Sequence, residues 1–345
     1  MILVTGASGL VGRELMKQLA DAGMSARGTD ILAAGSPGLQ KADLLDPAAC
    51  RRLCGGIDSI VHTAALQHHS EVPRWGREAF FNKNAEMTRH MVEAARAAAV
   101  RHFVFVSSDM VYGLPPGRPI TEQDEPRPIG PYGASKLASE RACLGARGPA
   151  LAVTILRPRL IIGPGRLGVL QKLFDRVRAG KTVPIFGRGD HRYQMVAVSD
   201  VAAAIVLALS KRREGVFNLG SDNPPPVRKL MADLCRRAGS HSCIVSLPAV
   251  PAKLALNLLH GVRLAPLAPE QYRIADVDYV LDTSAARRAL GWQPRLADSD
   301  MMWSAYETYL AADRARCFGT GESGRPDAAG PNASPAVSAR VSTPG

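Results

Sequence analysis

The chain has 345 residues, 46% of them hydrophobic, and a formal net charge of +12. That length suits one large α/β domain or two joined lobes. No apolar run reaches the roughly 18 residues of a membrane span, and the six cysteines show no C-x-x-C or His-rich spacing. The basic pairs Arg51-Arg52, Arg212-Arg213, Arg236-Arg237 and Arg287-Arg288 are scattered without interleaved aromatics, so no membrane, metal or nucleic-acid partner is expected.

The first strand, Met1–Thr5, begins at the first residue, which leaves no room for a leader and predicts a cytoplasmic location. Three glycines follow at three-residue spacing, Gly6, Gly9 and Gly12, and a helix begins at Gly12–Ala22. Gly6 permits the tight turn, Gly9 lets the backbone approach a pyrophosphate, and Gly12 lets the helix pack on the strand. Ser8, Leu10 and Val11 complete the loop, with the helix N-terminus facing the phosphates.

A second strand, Ser25–Asp30, ends in a carboxylate 18 residues past Gly12. Asp30 there accepts hydrogen bonds from a ribose and repels a 2′-phosphate. No Arg or Lys follows in Ile31–Gly35, so the predicted cofactor is NAD. The third strand, Gln40–Asp43, brings Asp43 and Leu44 to a place suited to adenine. A helix over Pro47–Leu53 and a strand over Ser59–His62 come next, and Gln67, His68 and His69 follow near the nicotinamide or substrate.

A helix over Ala79–Ala99 precedes the strand His102–Ser107, whose C-terminal end carries the hydroxyl pair Ser107-Ser108. The next helix, Tyr132–Leu144, places a phenol and an ammonium, Tyr132 and Lys136, one turn apart on one face. The cation stabilises phenolate, so Tyr132 can exchange a proton near neutral pH. Ser108 would hold the substrate oxygen while a nicotinamide moves the hydride. A strand over Ala152–Arg157 closes the first half. The alternation of strands and helices predicts a doubly wound parallel sheet covered on both faces.

These segments together resemble the extended short-chain dehydrogenases/reductases, the NAD-dependent epimerase/dehydratase group. The likeness runs from Met1 to Leu310 through Thr5–Gly12, Asp30, Asp43-Leu44, His62-Thr63-Ala64-Ala65, Asn84, Ser107–Gly113, Tyr132–Lys136, Leu156-Arg157-Pro158, Gly163-Pro164-Gly165, Val198–Ala202 and Leu290-Gly291-Trp292. It implies a Rossmann lobe over residues 1–158, a smaller substrate-binding lobe over 159–315 with segments returning to the sheet, and bound NAD. It further implies that Thr63, Ala64 and Ala65 line the cofactor, that Lys136 binds the nicotinamide ribose, that Asn84 supports the active site, and that homodimers form through a helix pair including Tyr132–Leu144. From Arg316 on, the Gly-, Ser-, Pro- and Ala-rich composition predicts a disordered tail.

Departures from the family pattern bear on substrate. Dehydratases of the group resemble Thr-Asp-Glu where this chain has Ser108-Asp109-Met110, and Met110 cannot serve as a base. Sugar-nucleotide enzymes resemble L-R-x-x-N, but Leu160 fills the Asn position here. They also carry an Arg seven residues before the Asp matching Asp200, where this chain has Tyr193 with Arg192 beside it. Asp109, Arg159, Arg166, Arg192 and Arg273 remain candidates for substrate contacts, together with Gln67 and His68. Three functions stay open: an epimerase or oxidoreductase of nucleotide sugars, a ketone reductase resembling the hydroxysteroid branch, and a silent dinucleotide sensor.

Overall fold

The protein is seen in a computed structural model that describes residues 1–32, 38–66, 76–164, 170–261 and 268–318. In chain order the first half contains β1 (Ile2–Thr5), α1 (Leu10–Asp21), β2 (Ala26–Asp30), β3 (Leu39–Lys41), α2 (Pro47–Leu53), β4 (Ser59–His62), α3 (Arg77–Ala97), β5 (His102–Val106), a 3₁₀ turn (Asp109–Val111), α4 (Pro131–Ala146) and β6 (Ala152–Pro158). The second half contains β7 (Leu160–Ile162), α5 (Leu170–Arg178), β8 (Val183–Phe186), β9 (Met195–Ala197), α6 (Val198–Lys211), β10 (Gly215–Leu219), α7 (Val227–Arg237), β11 (Ile244–Leu247), α8 (Ala249–Gly261), α9 (Pro269–Tyr272), α10 (Ser284–Leu290) and α11 (Asp298–Phe318).

Seven strands form one parallel sheet in the order β10-β6-β5-β4-β1-β2-β3. The order reverses beside β1, which places a ligand crevice at the carboxyl ends of β1 and β4. The pleat explains the two cores. Ile2, Val4, Val61, Val104 and Val106 point to one face and pack with Leu15 and Leu19 of α1, Val201 and Ile205 of α6, and Trp292. Leu3, Ile60, Phe103 and Phe105 point to the other and pack with Cys50 and Leu53 of α2, Met91 and Ala95 of α3, and Cys143 of α4. This is a Rossmann-type doubly wound sheet.

Residues from the second half extend that sheet, since β10 pairs with β6 from Gly215↔Thr154 to Leu219↔Pro158. Two small parallel pairs stand apart from it, β7 with β9 and β8 with β11. Met1–Tyr309 form one compact unit, and the boundary expected at 158 falls inside it, at the end of β6. Leu310–Gly345 form a second unit, in which residues 310–318 are the last turns of α11. Of the tail expected from Arg316, residues 316–318 belong to α11 and residues 319–345 lie outside the described residues.

Candidate active site

The glycine turn is closed tightly against the next strand crossing. Gly6 has φ +70°, and a Cβ there would come within 2.7 Å of the Ala64 nitrogen. A Cβ on Gly12 would collide with the Gly6 carbonyl. Helix α1 then starts from Gly9 with no side-chain cap and no acidic residue in its first turn. Its N-terminal N–H groups and positive dipole end are thereby left to an anion. Asp30 lies beside this turn: its carboxylate accepts from Ser8 N at 3.1 Å and Leu32 N at 3.0 Å. A dinucleotide fits this cradle, with its pyrophosphate at the α1 N-terminus and a ribose at Asp30.

The other expected cofactor contacts spread around the same edge. Thr63 Oγ1 donates to Thr5 O at 2.7 Å and fixes the chain after β4, with Ala64 and Ala65 half-buried behind it. Leu10 packs near Gly163, and Val11 is half-buried. Asp43 accepts from Leu45 N and shapes a turn, while the Leu44 side chain belongs to the core. Gln67, His68, His69, Gly165 and Arg166 lie outside the described residues.

The residues expected to hold and move the proton lie around the end of β5. Lys136 on α4 is 3% exposed, and its Nζ donates to Val106 O at 2.8 Å with the Phe105 ring centroid 4.8 Å away. Burial pulls its ammonium down to about 8, against the opposing carboxylate of Glu140. Tyr132 stands one turn earlier, its ring edge-on to Phe81 at 5.5 Å. Between them Gly133 is packed so closely that a Cβ would strike the Met110 carbonyl. That contact seats the Ser108–Met110 turn directly on α4. Ser108 is buried at the turn's N-cap; its Oγ donates to Asp109 Oδ1 at 3.1 Å and accepts from Met110 N at 3.2 Å.

Asn84 clamps the chain that leaves β4. Its Oδ1 accepts from Leu66 N at 2.7 Å, and its Nδ2 donates to Leu66 O and to Ser135 Oγ. Ser135 Oγ in turn donates to Tyr132 O at 2.8 Å. Behind it, His62 bonds Thr5 Oγ1 through Nδ1 and Thr88 Oγ1 through Nε2. Burial and the Lys136 charge push that imidazole down to about 3, so it stays neutral. A continuous polar chain therefore runs from the start of the glycine turn to the catalytic helix.

Two arginines border the site. Arg157 binds Glu140 through Nε (2.9 Å) and Nη2 (2.6 Å) and Tyr112 Oη through Nη1 (2.8 Å), while Ser107 Oγ donates to the same Glu140 at 2.5 Å. Arg159 is 2% exposed and lies between the rings of Tyr193 and Tyr279, at 4.1 and 4.2 Å. Its Nη1 donates to Asp109 Oδ2 at 2.8 Å, but Nε and Nη2 have no hydrogen-bond partner among the described residues. Burial raises the Asp109 carboxyl above the usual range, and Arg159 opposes that rise.

Sequence reasoning did not single out Glu140, although it stands four residues after Lys136, or the pairing of Arg157 with it. Arg192 is exposed, with its backbone N on Asp278. Arg273 lines a cavity of about 710 Å³ with Tyr112, Arg127 and Ile129.

Known proteins match this chain in sequence and fold. A model of the NAD dependent epimerase/dehydratase family matches residues 2–220. An uncharacterized protein of Sinorhizobium fredii is 36% identical over 315 residues, 90% of this chain and 78% of its own length. The UDP-glucose 4-epimerase of Mycolicibacterium smegmatis is 30% identical over 317 residues, 86% of this chain and 94% of its own. Among solved structures, MoeE5 in complex with UDP-glucuronic acid and NAD superposes with a TM-score of 0.72 at 28% identity, covering 90% of this chain and 99% of that one. The chain belongs to the NAD dependent epimerase/dehydratase family and is an enzyme of the extended short-chain dehydrogenase/reductase type.

Proposed function

We propose that this enzyme oxidises and reduces the C4 position of a nucleotide sugar with NAD, as a 4-epimerase or a net oxidoreductase, using Ser108, Tyr132 and Lys136. One observation carries the reading: Lys136 is buried at the end of β5, one turn from Tyr132, with its ammonium at about 8. When bound, NAD supplies a hydride acceptor and donor. The α1 N-terminus and Asp30 hold its phosphates and ribose, and Lys136 its second ribose.

Lys136 lowers the proton affinity of Tyr132, which takes the proton from the sugar hydroxyl as the carbon is oxidised. Ser108 holds the same oxygen, and the Asp109 carboxyl accepts from the Ser108 hydroxyl and orients it. After oxidation, a keto sugar that turns over presents its other face, and Tyr132 returns the proton. The unfilled Nε–Nη2 edge of Arg159 is the fork that suits a substrate oxyanion.

A second reading, net reduction of a less polar ketone, is favoured by Leu160 and by the Tyr193–Arg159–Tyr279 stack. Together these occupy the positions where the family resemblance places an Asn and a diphosphate-binding Arg.

Incubation with UDP-glucose, UDP-galactose and their N-acetyl forms separates the readings, with catalytic NAD and both sugar products and NADH followed. C4 interconversion without NADH accumulation supports the epimerase. No turnover of any of them, with turnover of apolar ketones, supports the second.

A further inference from the structure

Helix α8 is built inside out. Two of its three polar side chains bond to the body of the protein: Lys253 donates to Arg273 O at 2.9 Å and pairs with Asp276, and Asn257 accepts from the Tyr272 hydroxyl at 2.6 Å. Ala252, Lys253 and Leu256 are half-buried, but no residue of the helix is fully buried. The outward side carries Val250, Pro251, Leu254, Ala255, Leu258 and Leu259, and Asn257 and His260 are the exposed polar residues of the helix. Val250, Leu254 and Leu258 share one face at i, i+4 and i+8 and are 71%, 58% and 75% exposed. Val245 and Leu247, on the strand that leads into the helix, are exposed as well. A surface helix ordinarily shows the reverse pattern, and a contiguous exposed apolar patch marks a binding face.

Composition and charge choose the occupant. The face is purely aliphatic and lacks the Tyr, Trp, Met and Arg anchors of protein interfaces. Residues 170–261, which include β8, β11 and α8, hold fourteen Lys and Arg against six Asp and Glu. Lys181 and Arg188 are exposed on either side of β8, and Arg228 reaches β11 through Ser246 Oγ at 2.5 Å. A second copy docking by symmetry would set this basic flank against itself. An anionic lipid surface answers both features, acyl chains meeting the leucines and headgroups the cations.

We propose that the α8 face docks the enzyme peripherally on an anionic lipid surface. This departs from the sequence expectation of no membrane partner, which rested on the lack of a spanning run. No helix among the described residues is long and apolar enough to cross a membrane, and lying on one requires none.

The test uses the full chain, sedimented with vesicles of equal parts phosphatidylglycerol and phosphatidylcholine and with phosphatidylcholine alone. The expected result is binding to the anionic vesicles that falls about tenfold on neutral vesicles, and about tenfold in Leu254→Ser/Leu258→Ser. The circular dichroism spectrum and NAD binding of that variant should be unchanged, since both side chains are exposed. No binding to anionic vesicles, or equal binding by the variant, overturns the proposal. So does a lipid-free dimer in sedimentation velocity that the double substitution dissociates, because the face then belongs to a second copy.

Discussion

Arg157 and Arg159 stand two residues apart as the chain leaves the sheet, and both are buried. Arg157 spends all three of its nitrogens, two on Glu140 and one on Tyr112, and Glu140 also accepts from Ser107. Arg159 spends only Nη1, on Asp109, and keeps an Nε–Nη2 edge without a partner among the described residues while two tyrosine rings cover its faces. A completed buried network fixes geometry, whereas an unfilled donor edge is costly until something fills it. The first pair ties α4 to β5 and β6 and so holds Lys136 in place. The second bonds the residue after Ser108 and keeps the donor edge to which the proposed function assigns a substrate oxyanion.

The largest contrast should appear in stability. Glu140→Gln leaves Arg157 buried with a mismatched partner and should lower unfolding stability by about 3–5 kcal/mol. Asp109→Asn keeps an oxygen for the single Arg159 bond and should cost only about 1–3 kcal/mol. Urea unfolding measures both, and equal losses would break the comparison. Arg159→Lys, which keeps the charge but removes the fork, should raise KM for an anionic substrate about tenfold with a smaller change in kcat. Steady-state kinetics decides this; a loss confined to kcat would remove the oxyanion role.

The pH dependence should separate the pairs again. In the fold Lys136 loses its proton near 8 rather than near 10.5. The unfolded chain binds more protons between those values, so stability rises with pH across that window. The rate falls there, because the charge that favours the Tyr132 phenolate is lost. Glu140→Gln removes the carboxylate that opposes this shift and should move the falling limb to lower pH, while Asp109→Asn should leave it in place. A pH–rate profile of each variant reads the difference. The smallest effect lies away from both pairs: Asp30→Ser should shift the NAD-to-NADP preference about tenfold toward NADP by removing the repelling carboxylate, as read from cofactor affinities.

The centre of the sheet was legible in the sequence because β1, β4, β5 and β6 are short runs rich in apolar residues, whereas β2 and β3 are mostly polar and β10 was not expected. Local spacing put Ser108 just past a strand and Tyr132 and Lys136 one turn apart on a helix, and the fold has them there. The small strands and α8 of the second half were not legible. β7 and β9 have three residues each, too few for a period to show, and α8 is apolar along most of its length, so no stripe stands out. The Glu140–Arg157 and Asp109–Arg159 pairs join residues 17 and 50 positions apart, and only the closing of β5 against β6 brings them together. Tyr193, seen in the sequence only as a missing arginine, turns out to stack on one.

The central claim is that Tyr132 moves the proton in a hydride transfer at C4. Its most direct test is a single-turnover experiment in which the NAD-loaded enzyme and Tyr132→Phe are each mixed with UDP-glucose or UDP-galactose while the absorbance of reduced nicotinamide is followed. The account predicts a transient signal in the native enzyme that is slowed about 10²–10⁴-fold in the variant, with NAD still bound. An equally fast transient in both would contradict it.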